Sequence, residues 1–191
     1  MNLGDSRTVI CSDSKLSFAT SDHKPNHEAE RHRILESGGH VTNGRVNGML
    51  AVSRAFGNFE MKRNEEIPQQ NQAVSALPDV NVIARSPKDD FIAICCDGVF
   101  DVCRNSEVVN FVLRRIPFHQ NVKDVAVELT DYSCHRVCIE DLTLEFIIFK
   151  GSKDNLSAMI ISFDRSEVQP VPEKVEDNKK MNEEIITITE G

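Results

Sequence analysis

The chain has 191 residues, 40% of them hydrophobic and 27% charged, with a formal net charge of −8 at pH 7, which suits a single globular domain with a real core. An acidic balance without a basic stripe excludes nucleic acid as a primary partner. The longest apolar runs, residues 91–96 and 146–149, are far too short for a membrane span.

Residues 8–12 are β-prone and residues 16–20 alternate apolar with polar, so the two predict a hairpin across Ser12, Asp13 and Ser14. Residues 26–37 predict an exposed helix with Ala29, Ile34 and Leu35 inward, ended by Gly38-Gly39 as a left-handed cap. Gly44, Gly48 and Gly57 mark bends rather than regular structure, and Met49 and Phe56 are expected in the core. Residues 59–72 are polar and aperiodic, a mobile surface excursion of flap type. Residues 80–84 and 91–96 predict strands, the second apolar enough for burial on both faces, with Asp97 at its exit.

A helix is expected from Asn105 as its cap, with Glu107 in the first turn, Val108, Val109, Phe111, Val112 and Ile116 inward, and Pro117 as the stop. A second helix spans residues 122–132, with Val125, Ala126 and Leu129 inward, and residues 156–163 form a last strand. From residue 165 the chain is charged and Pro-containing, the composition of a disordered acidic tail.

Six cysteines, Cys11, Cys95, Cys96, Cys103, Cys134 and Cys138, include an adjacent pair inside an apolar run, and no secretory leader precedes them. Reduced thiols and an intracellular location, cytoplasmic or nuclear, are the expectation. Cys134 and Cys138 lack the second ligand pair that a structural zinc site needs.

Three aspartates punctuate this pattern: Asp5 in LGDSR, Asp97 in CCDGVFD and Asp154 in GSKDN. Taken singly, each reads equally well as a turn residue. Together, at the ends of strands and without cationic neighbours, they suit a hard divalent cation, which takes carboxylate oxygens. No EF-hand loop of the twelve-residue type occurs. His23, His27, His32 and His40 read as surface residues, Asp22 and Lys24 as a solvated loop, and Arg45 and Arg54 as either a substrate-facing rim or buried pairs.

The order GDSR, SDHKP, ESGG, RVNGMLAVSRAFGN, SALPDV, CDGVFDV and GSKDNLS resembles the metal-dependent serine/threonine phosphatases of the PP2C type, in wording closest to the animal alpha and beta members. The resemblance implies an α+β fold, a β-sandwich of antiparallel sheets flanked by helices, and dephosphorylation of phosphoserine and phosphothreonine in phosphoproteins by metal-bound hydroxide. It also implies a two-metal centre of Mg²⁺ or Mn²⁺, in which Asp97 and Asp154 ligate one metal and Asp5 belongs to a weaker third site. Asp101 and Asn155 then hold the metal's waters. The family's DGHGG-type segment, with its metal-bridging aspartate, its phosphate-binding arginine and its proposed general acid histidine, has no match from Met1 onward. Residues 1–164 are therefore expected to be an N-terminally incomplete PP2C-type domain with a flap at about 58–75, an unusual insert at 133–150 and a tail at 165–191. Asn58 stands where the family often has Asp. The alternative to the enzyme is a truncated or splice-variant fragment, catalytically inactive and acting at most in binding or regulation.

Overall fold

A computed structural model describes residues 1–135, 137–138, 148–149 and 151–163. Strands β1 (Arg7–Ser12) and β2 (Lys15–Ala19) form the expected hairpin, and Asp13 and Ser14 between them take φ of 53° and 59°, the twist a two-residue hairpin turn requires. Helix α1 (Glu28–Glu36) follows. It closes on Gly38 at φ 86°, where Gly38 N–H donates to Leu35 O and Gly39 N–H to Ile34 O, the paired bonds that satisfy a helix's last carbonyls. The short pair β3 (Val41–Thr42) and β4 (Arg45–Val46) comes next.

Strand β5 (Asp89–Cys95) runs into the single-turn helix α2 (Asp97–Phe100). Helices α3 (Asn105–Arg115) and α4 (Val122–Cys134) follow, then the two-residue strands β6 (Val137–Cys138) and β7 (Ile148–Phe149), paired with each other. Strand β8 (Ala158–Ser162) is last. The main sheet is antiparallel throughout in the order β2-β1-β5-β8. With helices gathered over one face, this is the expected α+β class.

Register explains the core. Val9 stands beside Ala93 and Ala93 beside Ile160, while Cys11 stands beside Phe91. One face of the sheet therefore carries Val9, Cys11, Phe91, Ala93 and Cys95, all buried against Val108, Val109 and Val112 of α3 and Val125 and Leu129 of α4. The alternate residues point the other way, and there Met159 is 59% exposed and Ile161 42%. Strand β5 is thus buried on one face rather than on both. Among the described residues no second large sheet covers the other. A smaller core of Ile34, Val46, Met61, Ala73 and Val74 lies under α1.

Several expectations are corrected. On α1, Ala29 and Leu35 face outward while Glu30 joins Ile34 in the buried position, because arginine and serine partners compensate its charge. Residues 80–84 form no strand. They are extended without a ladder partner and leave Val80, Val82 and Ile83 exposed. Met49 and Phe56 are likewise exposed. Asn105 is not the cap of α3: Arg104 holds that place, its N–H donating to Glu107 Oε2 at 2.7 Å, and Asn105 is drawn instead to Arg7. Asn121 does cap α4, its Oδ1 accepting Lys123 N–H at 2.9 Å.

The polar segment expected as a flap contains two 3-10 turns. Met61 and Gln72 pin it from below, the Gln72 amide bonding Asn64 and Ile67 backbone groups. Residues 133–135 finish α4 and its cap, and apart from the β6–β7 pair the rest of the insert lies outside the described residues, as does the tail. Among the described residues no helix is long and apolar enough to cross a membrane.

Candidate functional site

Sheet topology decides where the three aspartates meet. Arg7 at the start of β1 pairs with Cys95 at the end of β5, and Cys95 pairs with Ala158 at the start of β8. Asp5, just before β1, Asp97, just after β5, and Asp154, just before β8, therefore emerge at one edge of the sheet. The 97 and 154 loops are in contact. Cys96 Sγ donates to Asn155 O at 3.3 Å and accepts Ser157 N–H at 3.2 Å, and Cys96 N–H donates to Ser157 O at 3.1 Å. Gly98 permits this approach, since a Cβ there would fall 2.4 Å from Asn155 O.

Each carboxylate is held locally. Asp97 Oδ1 accepts Gly98 N–H at 3.0 Å, and Asp154 Oδ1 accepts Asn155 N–H at 2.7 Å, so Asn155 itself contributes backbone rather than its side chain to these contacts. A cavity of about 340 Å³ opens between Asp101, Val102, Ser152, Lys153 and Asp154. The Asp101 carboxyl is raised above the ordinary aspartate range, first by partial burial and next by the negative charge of Asp97, with Asp5 and Asp154 adding to it and Lys24 opposing. One carboxyl thus feels the charge of all three predicted ligands.

Two features differ from the expectation. The acids do have cationic neighbours: Lys24 forms an ion pair with Asp5, and Lys153 lines the cavity. His23 is not a surface residue but is 2% exposed, with Nδ1 accepting Gly4 N–H at 3.1 Å. The remaining motif residues pair among themselves. Arg7 grips Asp22 through Nε at 2.9 Å and Nη2 at 2.7 Å, donates to Asn105 Oδ1 at 2.6 Å, and stacks over the Phe100 ring at 4.5 Å. The Asp22 bonds outweigh burial and raise its guanidinium further above its ordinary value. Arg54 is a buried pair rather than part of a rim, donating to Glu30 and Asp79. Arg45 donates to Met49 O at 2.7 Å. Sequence reasoning missed Arg7, His23, Glu30 and Asp79. Only Glu30 carried a signal, an acid at a buried position of a helix, which a partnered network tolerates; Arg7, His23 and Asp79 lie in a strand and in irregular segments where local sequence gives none.

Among the described residues no three His, Cys, Asp or Glu side chains stand together closely enough to hold a metal ion. In donor type and charge the three aspartates nonetheless fit a hard divalent cation: all are carboxylates, the oxygen ligands such an ion takes.

The family model for Protein phosphatase 2C matches residues 1–142. Human protein phosphatase 1A is 42% identical over 164 residues, covering 85% of this chain and 39% of that protein. Protein phosphatase ppm-1.A of Caenorhabditis elegans is 39% identical over 163 residues, covering 85% of this chain and 32% of its own length. The crystal structure of a phosphatase from Toxoplasma gondii superposes with a TM-score of 0.71 at 34% identity, covering 88% of this chain and 49% of that one. The chain thus spans between a third and a half of the proteins it matches. With the family model covering most of the chain and the same fold recurring in a solved phosphatase, this chain belongs to the protein phosphatase 2C family.

Proposed function

We propose that the chain carries part of the catalytic site of a protein serine/threonine phosphatase that depends on Mg²⁺ or Mn²⁺ and acts on phosphoproteins. The observation that supports this reading is the strand register, which puts the start of β1, the end of β5 and the start of β8 on one side of the sheet and brings the loops of Asp97 and Asp154 into contact through Cys96, Gly98 and Asn155. Asp97 and Asp154 would hold a metal, Asp5 a further one, and Asp101 and Asn155 would orient its water shell. When bound, the metal neutralises phosphate and lowers the pKa of water.

The chain's own residues perform the positioning. Gly98 lets the Asp97 and Asp154 loops touch, and the backbone N–H groups of Gly98 and Asn155 each occupy one carboxylate oxygen. Preset orientation of this kind removes rotational freedom that a metal or substrate would otherwise have to freeze. Lys24 neutralises Asp5, and Lys153 places a positive charge at the cavity wall where a phosphate's oxygens are attracted.

The test is hydrolysis of a phosphothreonine peptide with and without Mn²⁺ by this chain and by Asp97→Asn. Turnover that needs Mn²⁺ and is lost in the variant supports the enzyme. Absence of turnover alongside retained Mn²⁺ binding assigns the chain to the noncatalytic reading, a binding or regulatory form of the family. The incomplete set of ligating side chains among the described residues favours that second reading for the polypeptide by itself.

A further inference from the structure

Three sequence blocks of the family likeness contribute polar side chains, His23, Ser53 with Arg54, and Asp79, to a chain of contacts that starts at buried Glu30 and ends on the Gly4 backbone. Glu30 of α1 forms an ion pair with Arg33 at 2.9 Å and accepts from Arg54 Nη2 at 2.6 Å and Nε at 3.0 Å and from the Ser53 hydroxyl. Arg54 donates onward through Nη1 to Asp79 Oδ1 at 2.8 Å. Asp79 Oδ2 lies 3.2 Å from His23 Nε2, close enough for charge contact though not aligned as a hydrogen bond. His23 then clamps Gly4 on both sides: its N–H donates to Gly4 O at 2.9 Å, and Gly4 N–H donates to its Nδ1 at 3.1 Å. The residue after Gly4 is Asp5, and the residue after His23 is Lys24, Asp5's ion-pair partner.

We propose that His23 is a positioning residue for the Asp5 carboxylate, fixed in turn by the Glu30–Arg54–Asp79 relay; the proposal rests on the reading of Asp5 as a metal ligand. The geometry sets its tautomer. An N–H donated to Nδ1 requires that nitrogen to be an acceptor, so the ring proton sits on Nε2 and faces the Asp79 carboxylate. Ser53 secures the other end of the residue, its N–H donating to His23 O at 2.8 Å while its hydroxyl, whose proton goes to Glu30, lies 2.9 Å from the same oxygen. His23 therefore has no freedom to turn, and Gly4, at φ 93°, sits in a backbone well that few residues share. The dipeptide His23-Lys24 thus grips Gly4-Asp5 at backbone and side chain together, which explains why a histidine that touches no metal site lies buried beside one. Supporting contacts of this kind tune metal affinity by about 10–100-fold.

The test uses the full 191-residue chain, with Mn²⁺ binding followed by electron paramagnetic resonance and Gly4 amide exchange by NMR. His23→Asn places an amide oxygen near the position of Nδ1, His23→Gln places its polar group near that of Nε2, and His23→Ala supplies neither. Asp5→Asn identifies the Asp5-dependent Mn²⁺ step. His23→Ala and His23→Gln should weaken that step about tenfold and speed Gly4 exchange about tenfold, while His23→Asn keeps both close to the parent chain. Equal behaviour of the Asn and Gln variants overturns the proposal, and that comparison stands even where the Ala variant fails to fold. If Asp5→Asn binds Mn²⁺ like the parent chain, the metal reading of Asp5 falls, whereas Gly4 exchange still decides whether His23 sets the loop.

Discussion

Replacing Gly98 with alanine tests the contact on which the candidate site depends. The new Cβ would lie 2.4 Å from Asn155 O and 3.2 Å from Leu156 Cδ2, against an ordinary carbon–oxygen approach of about 3.4 Å. The Leu156 methyl can turn away, but the Asn155 carbonyl is backbone, tied through its own oxygen to Cys96 Sγ. One of the two loops must therefore move by about 1 Å. Overpacking of this kind costs about 1–3 kcal/mol, and alanine returns at most about 1 kcal/mol through helix propensity in α2. A 2.4 Å approach to backbone puts the cost at the upper end of that range, so the net loss is about 2 kcal/mol, a fall in Tm of about 4–8 °C. Because Asp97 precedes Gly98 and Asp154 precedes Asn155, the same displacement separates the two carboxylates, and Mn²⁺ affinity should drop about tenfold. Gly57→Ala is the control. It has φ 71° with nothing within 4 Å of its Cβ position, so backbone strain alone costs about 1–2 kcal/mol and metal binding is untouched. Calorimetry and Mn²⁺ titration on the three proteins check this. A Gly98→Ala protein with parental Tm and parental Mn²⁺ affinity would refute the packing of the two loops.

Three further outcomes follow from the described contacts. Glu30 is 5% exposed; burial by itself would raise its carboxyl, but hydrogen bonds from Arg54 and Ser53 and the charges of Arg33 and Arg54 bring it from 4.5 down to about 2. A depressed carboxyl contributes stability that is fully present above its unfolded value and is lost as pH falls from about 5 toward 2. At about 1.4 kcal/mol per pH unit that contribution is about 3 kcal/mol, and urea titrations from pH 7 to pH 3 should show the loss in the parent chain and a flatter profile in Glu30→Gln. On the uncovered sheet face, Met159→Thr with Ile161→Thr should reduce binding of the dye ANS and cost under about 1 kcal/mol, because exposed apolar groups contribute little to the fold; a loss above about 3 kcal/mol would show that the face is covered. Burial, and then the neighbouring Cys96 and Cys103, push the Cys95 thiol up to about 12. Iodoacetamide at pH 8 should therefore label exposed Cys134 in the native state and leave buried Cys11, Cys95 and Cys103 unlabelled until urea unfolds the chain, as peptide mass mapping would read.

The periodic segments were legible. Hairpin β1–β2, strand β5, helices α3 and α4 and strand β8 lie close to where apolar spacing and turn residues put them, because each depends on local sequence and one buried face. What failed was whatever depended on a partner. Residues 80–84 have strand composition but no neighbouring strand, so they stay extended and exposed. Leu35 looked inward by spacing, yet Glu30 holds the inward place because Arg33, Arg54 and Ser53 meet it from elements that spacing cannot connect. His23 failed for the same reason, since its burial depends on Gly4 and Asp79 rather than on its own segment. The strand ends beside Asp5, Asp97 and Asp154 lie on one side of the sheet, as their places after and before apolar runs imply, though their side chains do not close into a ligand cluster among the described residues. Lys24 on Asp5 was not foreseen, because a lysine nineteen residues away along the chain reaches that carboxylate only once the β1–β2 hairpin has folded back.

Lys24 also bears on how the site takes charge. At this sheet edge four carboxylates, Asp5, Asp97, Asp101 and Asp154, stand against two ammonium groups, Lys24 and Lys153. A monovalent side chain on a flexible stem is strongly hydrated and acts as a point charge, so it relieves Asp5 without satisfying Asp97 or Asp154 on neighbouring loops. On the proposed reading, a divalent cation would supply positive charge to them once Lys24 turned outward, along a side chain already about a third exposed. On the proposed reading of Asp5 as a metal ligand, the sheet and the His23 clamp would supply fixed geometry and Lys24 a removable charge, so cation uptake there would be an exchange of one positive group for another rather than the filling of a bare acidic cluster.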